Sequence, residues 1–232
     1  MGCQIIHDPI HSRTGWSQEY FLFDGDATVG YGSVAVAGPW MGKPTVYEFY
    51  VLPSHRVHAS ELFRALLRLS GAVMITVQSN EPLITAMLHT FGQNVTNESI
   101  VFHDQLTTAL SPSGATYRGA TAADLADVAA DQLKWHGVVE VGGTVAAAGG
   151  ILFHYNRPYG DIFMDVAEPF RRRGIGSFLV QELKRVCYEG RHVPAARCSP
   201  GNVASRRTLQ KAGFVPCGNI LTGSVSPVVA CR

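Results

Sequence analysis

The chain has 232 residues, 46% of them hydrophobic and 16% charged, with 19 basic side chains against 18 acidic ones. That apolar fraction builds a sizeable core and excludes wholesale disorder, while the length suits one large domain or two small ones. So even a charge balance lacks the concentrated basic face of a nucleic-acid partner, and no apolar run approaches the ~20 residues of a membrane helix. In chain order, the opening MGCQIIHDPIHSRTGWSQ has no basic-then-apolar secretory signal, and Ile6 breaks the myristoylation pattern. Residues 20–37 read as two strands around the turn Asp24-Gly25-Asp26. TVYEFYVL at 45–52 reads as another strand. Residues 59–69 read as a helix with Leu62, Leu66 and Leu69 on one face, 73–77 as a buried strand, and 82–90 as a helix ended by Gly92. The polar, turn-rich stretch DQLTTALSPSGAT at 104–116 marks a boundary, which predicts units at 1–105 and 117–232 joined by a linker at 106–116.

Beyond that boundary the order recurs. Thr121 and Asp124 form a variant capping box before a helix carrying Leu125, Val128, Ala129 and Leu133. Strands follow at 138–141, 144–154 and 161–167. Next come a helix over about 175–188, its inner stripe Ile175, Leu179, Leu183 and Val186, then a strand at 195–198. Asn202 caps a last helix that stops at Gly213. Val51-Leu52-Pro53-Ser54-His55-Arg56 aligns with Val166-Ala167-Glu168-Pro169-Phe170-Arg171 at an offset of 115, more in pattern than in letters. An internal duplication explains this; two unrelated stretches sharing a strand–turn–helix unit are the alternative. The cysteines, Cys3, Cys187, Cys198, Cys217 and Cys231, are odd in number and lack C-x-x-C spacing. They read as reduced thiols of a cytoplasmic protein, and no metal site is expected.

Chemistry concentrates in Asp165-Val-Ala-Glu-Pro-Phe-Arg-Arg-Arg-Gly174-Ile-Gly176-Ser-Phe-Leu. A strand ends, three arginines and two glycines turn the chain, and an apolar-periodic helix begins at once. Glycines admit close approach of a ligand to the backbone. The first helical turn has free N–H groups and a partial positive charge, so the pattern is a cradle for phosphate oxygens that guanidinium groups can reinforce. A solvated basic patch is the plainer reading of Arg171–Arg173, as an ordinary N-cap is of Asn202. A Walker loop is absent, and Leu179 stands where a dinucleotide fingerprint needs Gly or Ala. Gly30-Tyr31-Gly32-Ser33-Val34-Ala35 has the G-x-G-x-x-A spacing but precedes a β-type run.

Arg171-x-x-Gly174-x-Gly176 after a strand resembles the acyl-CoA pyrophosphate loop of the GNAT superfamily of N-acetyltransferases. Asn202-x-x-Ser205-x-x-x-Leu209-x-Lys211-x-Gly213-Phe214 is similar to that family's second signature. The clear likeness covers about 117–224 and a fainter one about 20–103, so the whole looks like a tandem pair. The resemblance implies an α/β (α+β) fold: a mixed, mostly antiparallel sheet with flanking helices, split beside the loop. It implies acetyl-CoA as co-substrate, with no metal, and an amine acceptor. By matching positions, Val166 and Ala167 would bond the pantetheine arm, and the N–H groups of Arg171, Arg172, Arg173, Gly174, Ile175, Gly176 and Ser177 would hold the pyrophosphate. Asn202 and Ser205 would flank the cofactor. A homodimer is among the assemblies it allows.

The amine would attack the thioester directly, a strand N–H would stabilise the oxyanion, and Asp161 or Asp165, sharing a strand face by alternation, would take the proton. Solvated carboxylates are the alternative. Leu209 stands where the family often places a Tyr acid, so unaided departure of the thiolate, a water, Tyr155 or Tyr159 must substitute. The first unit reads Arg56-Val-His-Ala59-Ser-Glu61 at the loop, with a carboxylate where phosphate would lie, and is expected not to bind CoA. Its expected work is structural, and Glu48, His55 and His58 could still reach the acceptor cleft. A non-catalytic acyl-CoA-binding scaffold and a nucleotide-binding protein of another fold are the competing readings.

Overall fold

The computed structural model describes residues 7–125, 129 and 131–226. In chain order these form α1 (His7–His11), β1 (Ser17–Asp24), β2 (Ala27–Ala35), β3 (Thr45–Val51), α2 (Ala59–Ser70), β4 (Met74–Gln78), α3 (Pro82–Phe91) and β5 (Gly92–Asp104). There follow β6 (Ala115–Gly119), β7 (His136–Val141), β8 (Thr144–Leu152), β9 (Tyr159–Val166), α4 (Ile175–Glu189), β10 (Val193–Cys198), α5 (Val203–Lys211) and β11 (Phe214–Val225). The class is α/β with mixed, mostly antiparallel pairing. Among the described residues no helix is long and apolar enough to cross a membrane.

Two compact units divide the chain. The first runs through Ile100 and resumes at Gly218; the second is Val101–Cys217. The sequence reading put the C-terminal stretch wholly with the second unit. It returns to the first because Ile220–Ser224 of β11 pair antiparallel with Met74–Gln78 of β4. Neither β5 nor β11 was foreseen as a strand. Half of β5 is polar and exposed, so ladder pairing rather than its own burial makes it a strand.

In the first unit the strands lie in the order β1-β2-β3-β4-β11. The one parallel pair, β3 with β4, spans only Thr45↔Met74 and Val46↔Ile75. Beneath them α2 buries Ala59, Phe63, Leu66 and Leu67. Of the predicted stripe Leu66 is buried and Leu62 packs against the core, but Leu69 is 78% exposed, because the buried i, i+4, i+7 run starts from Ala59. Phe63 packs edge-on against Phe49 at 4.8 Å and beside Phe91 at 5.4 Å, at the centre of this core.

In the second unit the order is β5-β10-β9-β8-β7-β6, β5 entering it with Val101–Asp104 only. α4 buries Ile175, Leu179, Val180 and Leu183, and Ile151, Ile162, Ala195 and Phe214 are likewise buried. Lys184 is buried on the same helix. Its Nζ lies 2.6 Å from Asp104 Oδ1 and donates to the carbonyls of Leu106 and Ala212 at 2.8 Å each. Gln181 accepts from the Leu110 N–H and the Thr108 hydroxyl and donates to the Leu110 carbonyl. The stretch read as a linker is thus strapped along α4 through residue 110, and its end enters β6. The helix predicted from the Thr121 capping box falls partly outside the described residues, Val128 included. Residues 122–124 form a turn, with Asp124 accepting from the Thr121 N–H and hydroxyl. Arg118 grips the same carboxylate at 2.7 Å.

Candidate functional site

The site is built on β9. Its register with β8 is unbroken from Leu152↔Asp161 to Ala147↔Val166. On its other edge it meets β10 in parallel for three pairs only, the last being Ala195↔Asp161. Beyond Asp161 the two strands part. The Ala167 N–H donates to Ala146 of β8, so by alternation the main-chain groups of Met164 and Val166 face the opening. The Val166 carbonyl accepts from Arg171 Nε at 3.0 Å, which fixes the strand end against the turn.

The turn then does what its glycines require. Gly174 is left-handed at φ +81° and serves as N-cap of α4 without any side-chain cap. The Phe178 N–H donates to the Gly174 carbonyl, so the N–H groups of Ile175, Gly176 and Ser177 ahead of it lack intrahelical acceptors. Arg172 also sits at φ +62°, costly for a residue with a Cβ. A Cβ on Gly176 would stand 3.0 Å from Val166 Cγ2 and 3.2 Å from Thr208 Cγ2. Only glycine lets α4 start this close to β9 and α5.

A cleft of about 830 Å³ opens over this turn. Of the residues the sequence placed at a cofactor, Val166, Arg171, Arg172, Gly174, Ile175, Gly176, Ser177, Asn202 and Ser205 line it. Asn202 Oδ1 accepts the Ser205 N–H at 3.0 Å, so it is an N-cap and a lining residue together. Two expected residues lie outside the lining. The N–H and carbonyl of Ala167 are spent on Ala146 and Phe170. Arg173 is exposed, its guanidinium 5.5 Å from the Phe170 ring centre. Arg207 and Lys211 were missed as site residues, though both line the cleft. The signal was available, because 203, 207 and 211 follow the helical period set by the Asn202 cap. With Arg171 and Arg172 they set four cations against one carboxylate, Asp165.

The two candidate bases differ. Asp165 is exposed and lines the cleft. Asp161, at the point of divergence, is 7% exposed; its Oδ2 lies 2.9 Å from His154 Nε2 and 3.9 Å from Arg197 Nε. Tyr155 is buried under the Arg197 guanidinium at 5.7 Å; neither it nor Tyr159 lines the cleft. Leu209 is buried in α5. Burial pushes the thiol of Cys198 up, against a smaller effect of Arg206, as expected of a packed strand-end thiol.

In the first unit, Arg56 Nε donates to Val51 at 3.2 Å, the counterpart of the Arg171 bond. There, however, Pro53–His58 coil into a 3₁₀ turn that runs straight into α2 with Glu61 in its first turn. His58 Nδ1 lies 3.8 Å from Glu61 and His55 Nδ1 3.1 Å from Asp24. Glu48 is clasped by His7 Nδ1 at 2.7 Å and His11 Nε2 at 2.8 Å. Burial opposes its ionisation, yet the bonds and charge of the two histidines win and hold it at about 2.

Comparison with known proteins agrees with this geometry. The model of the acetyltransferase (GNAT) family matches residues 105–214. A GNAT-family acetyltransferase from Colwellia psychrerythraea aligns over 90% of this chain and 86% of its own, at 18% identity and TM-score 0.67. A GCN5-related N-acetyltransferase from Sphaerobacter thermophilus aligns over 90% and 81%, at 16% identity and TM-score 0.57. A tandem GNAT protein from the clavulanic acid biosynthesis pathway aligns over 93% and 85%, at 14% identity and TM-score 0.55. At such identities the likeness is one of fold. No curated protein matches the chain. Split strands and glycine turn both fall within residues 105–214, the stretch, a little under half of the chain, that matches the acetyltransferase (GNAT) family model.

Proposed function

We propose that the second unit binds acetyl-CoA and transfers its acetyl group to a primary amine by direct attack, and that the first unit is a degenerate copy without a CoA site. The observation that carries this is the glycine turn: three helix-start N–H groups without intrahelical acceptors open on a cleft lined by four cations, beside a strand edge that has lost its partner. That arrangement suits a diphosphate joined to an amide-bearing arm. The acetyl thioester supplies the acyl group. The chain's residues do the rest. The N–H groups of Ile175, Gly176 and Ser177 hold phosphate oxygens, with Arg172, Arg207 and Lys211 adding charge. Met164 and Val166 offer main-chain bonds to the arm, as an added strand would use them. The Met164 N–H, first along β9 beyond the β10 pairing to face the opening, stabilises the developing oxyanion. Asp161 and Asp165 remain the carboxylates nearest the chemistry. Cys187 and Cys198 are thiols rather than disulfide halves, which suits a reducing cytoplasm.

The burial of Leu209, where the family often places a phenol, favours a second reading: an acyl-CoA-binding protein without turnover. Thiol release from acetyl-CoA across a panel of aliphatic amines, run beside a thermal-shift titration with CoA, separates the two. Turnover with stabilisation supports the transferase. Stabilisation without thiol release supports the binding protein, and neither response sinks both.

A further inference from the structure

Resting on the transferase reading above, we propose that His154 is the catalytic base that deprotonates the amine, and that Asp161 is its positioning residue. The closed end of the strand split is the place to look for a base, because an acceptor must meet the acyl carbon beyond the diphosphate end of the cleft. Asp161 occupies that end, in the last β9–β10 pair. Asp165 lies four residues on, roughly 13 Å along the strand, beside the turn that takes the anion. The face matters as much as the position. A Cβ on Gly160 would stand 3.1 Å from Cys187 Sγ of α4, so Gly160, Ile162 and Met164 look toward α4. Asp161, and Arg197 two residues beyond its partner Ala195, look the other way.

On that face, just outside the cleft lining, His154 and Asp161 form a graded pair. The Asp161 side chain is 9% exposed and the His154 ring 32%. Nε2 of His154 is the buried nitrogen, 2.9 Å from Asp161 Oδ2 in an ion-pair contact that lacks hydrogen-bond alignment, so Nδ1 is the nitrogen assigned to the substrate. A carboxylate behind an imidazole fixes its ring and tautomer and stabilises the imidazolium formed when it takes a proton. The guanidinium of Arg197, 3.9 Å from the same carboxylate oxygen and 5.7 Å from the Tyr155 ring, braces that carboxylate from the opposite side. The step balances. His154 Nδ1 takes one proton from the ammonium. The freed lone pair forms the N–C bond as the C–S bond breaks, the departing thiolate takes the second nitrogen proton, and the imidazolium releases its proton to water.

The test uses the whole chain, acetyl-CoA, and phenethylamine and spermidine as aliphatic probes with aniline as an amine already neutral at pH 7. His154→Gln should lower kcat about 100-fold or more on the aliphatic amines, much less on aniline, with acetyl-CoA affinity within twofold of wild type. Added imidazole should restore part of the activity of His154→Ala but none of that lost in Asp161→Asn. A kcat within threefold of wild type in His154→Gln, a loss shared equally by aniline, or a parallel loss of acetyl-CoA affinity overturns the base while leaving the transferase intact. A wild-type chain that binds acetyl-CoA and releases no thiol with any probe overturns both.

Discussion

The two strand–turn–helix segments, Val51 to Ser70 and Val166 to Glu189, begin alike and end differently. Each strand end is pinned by an arginine Nε on its last carbonyl, Arg56 on Val51 and Arg171 on Val166. Each continues through a residue of nearly the same backbone angles, Leu52 at φ −50° and ψ 137°, Ala167 at φ −57° and ψ 138°. Each is followed by a short 3₁₀ turn, and each strand leaves its parallel neighbour after two or three pairs. The divergence comes at two positions. Ala59 is right-handed at φ −57°, so the first turn keeps coiling and spends its N–H groups on itself. Gly174 is left-handed, so the second turn breaks, reverses, and presents its helix start to the cleft. A split sheet is therefore common to both units. A helix start opened by a left-handed residue belongs to one, because it takes a φ that L-residues avoid.

The largest effect should come from closing the cradle. Gly174→Asp places a carboxylate among the open N–H groups. Only Lys211 Nζ and Pro112 lie within 4 Å of the new Cβ, and Asp tolerates the left-handed region better than most residues. CoA affinity measured by calorimetry should fall at least 100-fold, about 3 kcal/mol, with the fold retained. Gly176→Glu would be a poorer probe, since its side chain must displace Val166 and Thr208. The reciprocal change, Ala59→Gly with Glu61→Gly, should leave CoA affinity within twofold. Asp is avoided there because Ala59 is buried. A loss of CoA binding in that double variant would reverse the roles of the two units.

A second contrast is in acid. Glu48 is held at about 2 when folded, so its stabilising contribution is whole above about 4.5 and drains away as pH falls toward 2. The loss amounts to at most about 3 kcal/mol. Thermal melts at pH 5 and pH 2.5 should show the wild type losing more stability than Glu48→Gln, and equal losses would remove Glu48 from the account. The smallest effect is expected at Arg172. Arg172→Gly relieves the positive φ while removing one cation, so CoA affinity should drop about threefold to tenfold as the melting temperature holds or rises slightly. A fall in both would mean that the guanidinium, rather than the backbone, orders the turn.

Much of this was legible in the letters. Glycine spacing predicted the turn and the helix start, because a demand for unusual φ is local and only glycine meets it cheaply. The inner stripe of α4 and the Asn202 cap followed from period and residue type. Other features were beyond reach. The apolar run of α2 allowed two phases, and burial chose the one that exposes Leu69. The helix expected after Thr121 gives way, over 122–124, to a turn that Arg118 clamps through Asp124, a partner from the neighbouring strand that no capping rule contains.

The linear order of residues alone determined the strand–turn–helix pattern, the turn at Gly174 and Gly176, and Arg171 and Arg172 beside it, since each depends on neighbours a few positions apart. Tertiary structure decided where β9 and β10 stop pairing, that β11 returns to the first unit, that Ala167 spends its N–H on Ala146, and that His154 lies against Asp161. Those outcomes depend on which distant strand fills a ladder, and a pairing partner chosen across many residues leaves no mark in the local spacing.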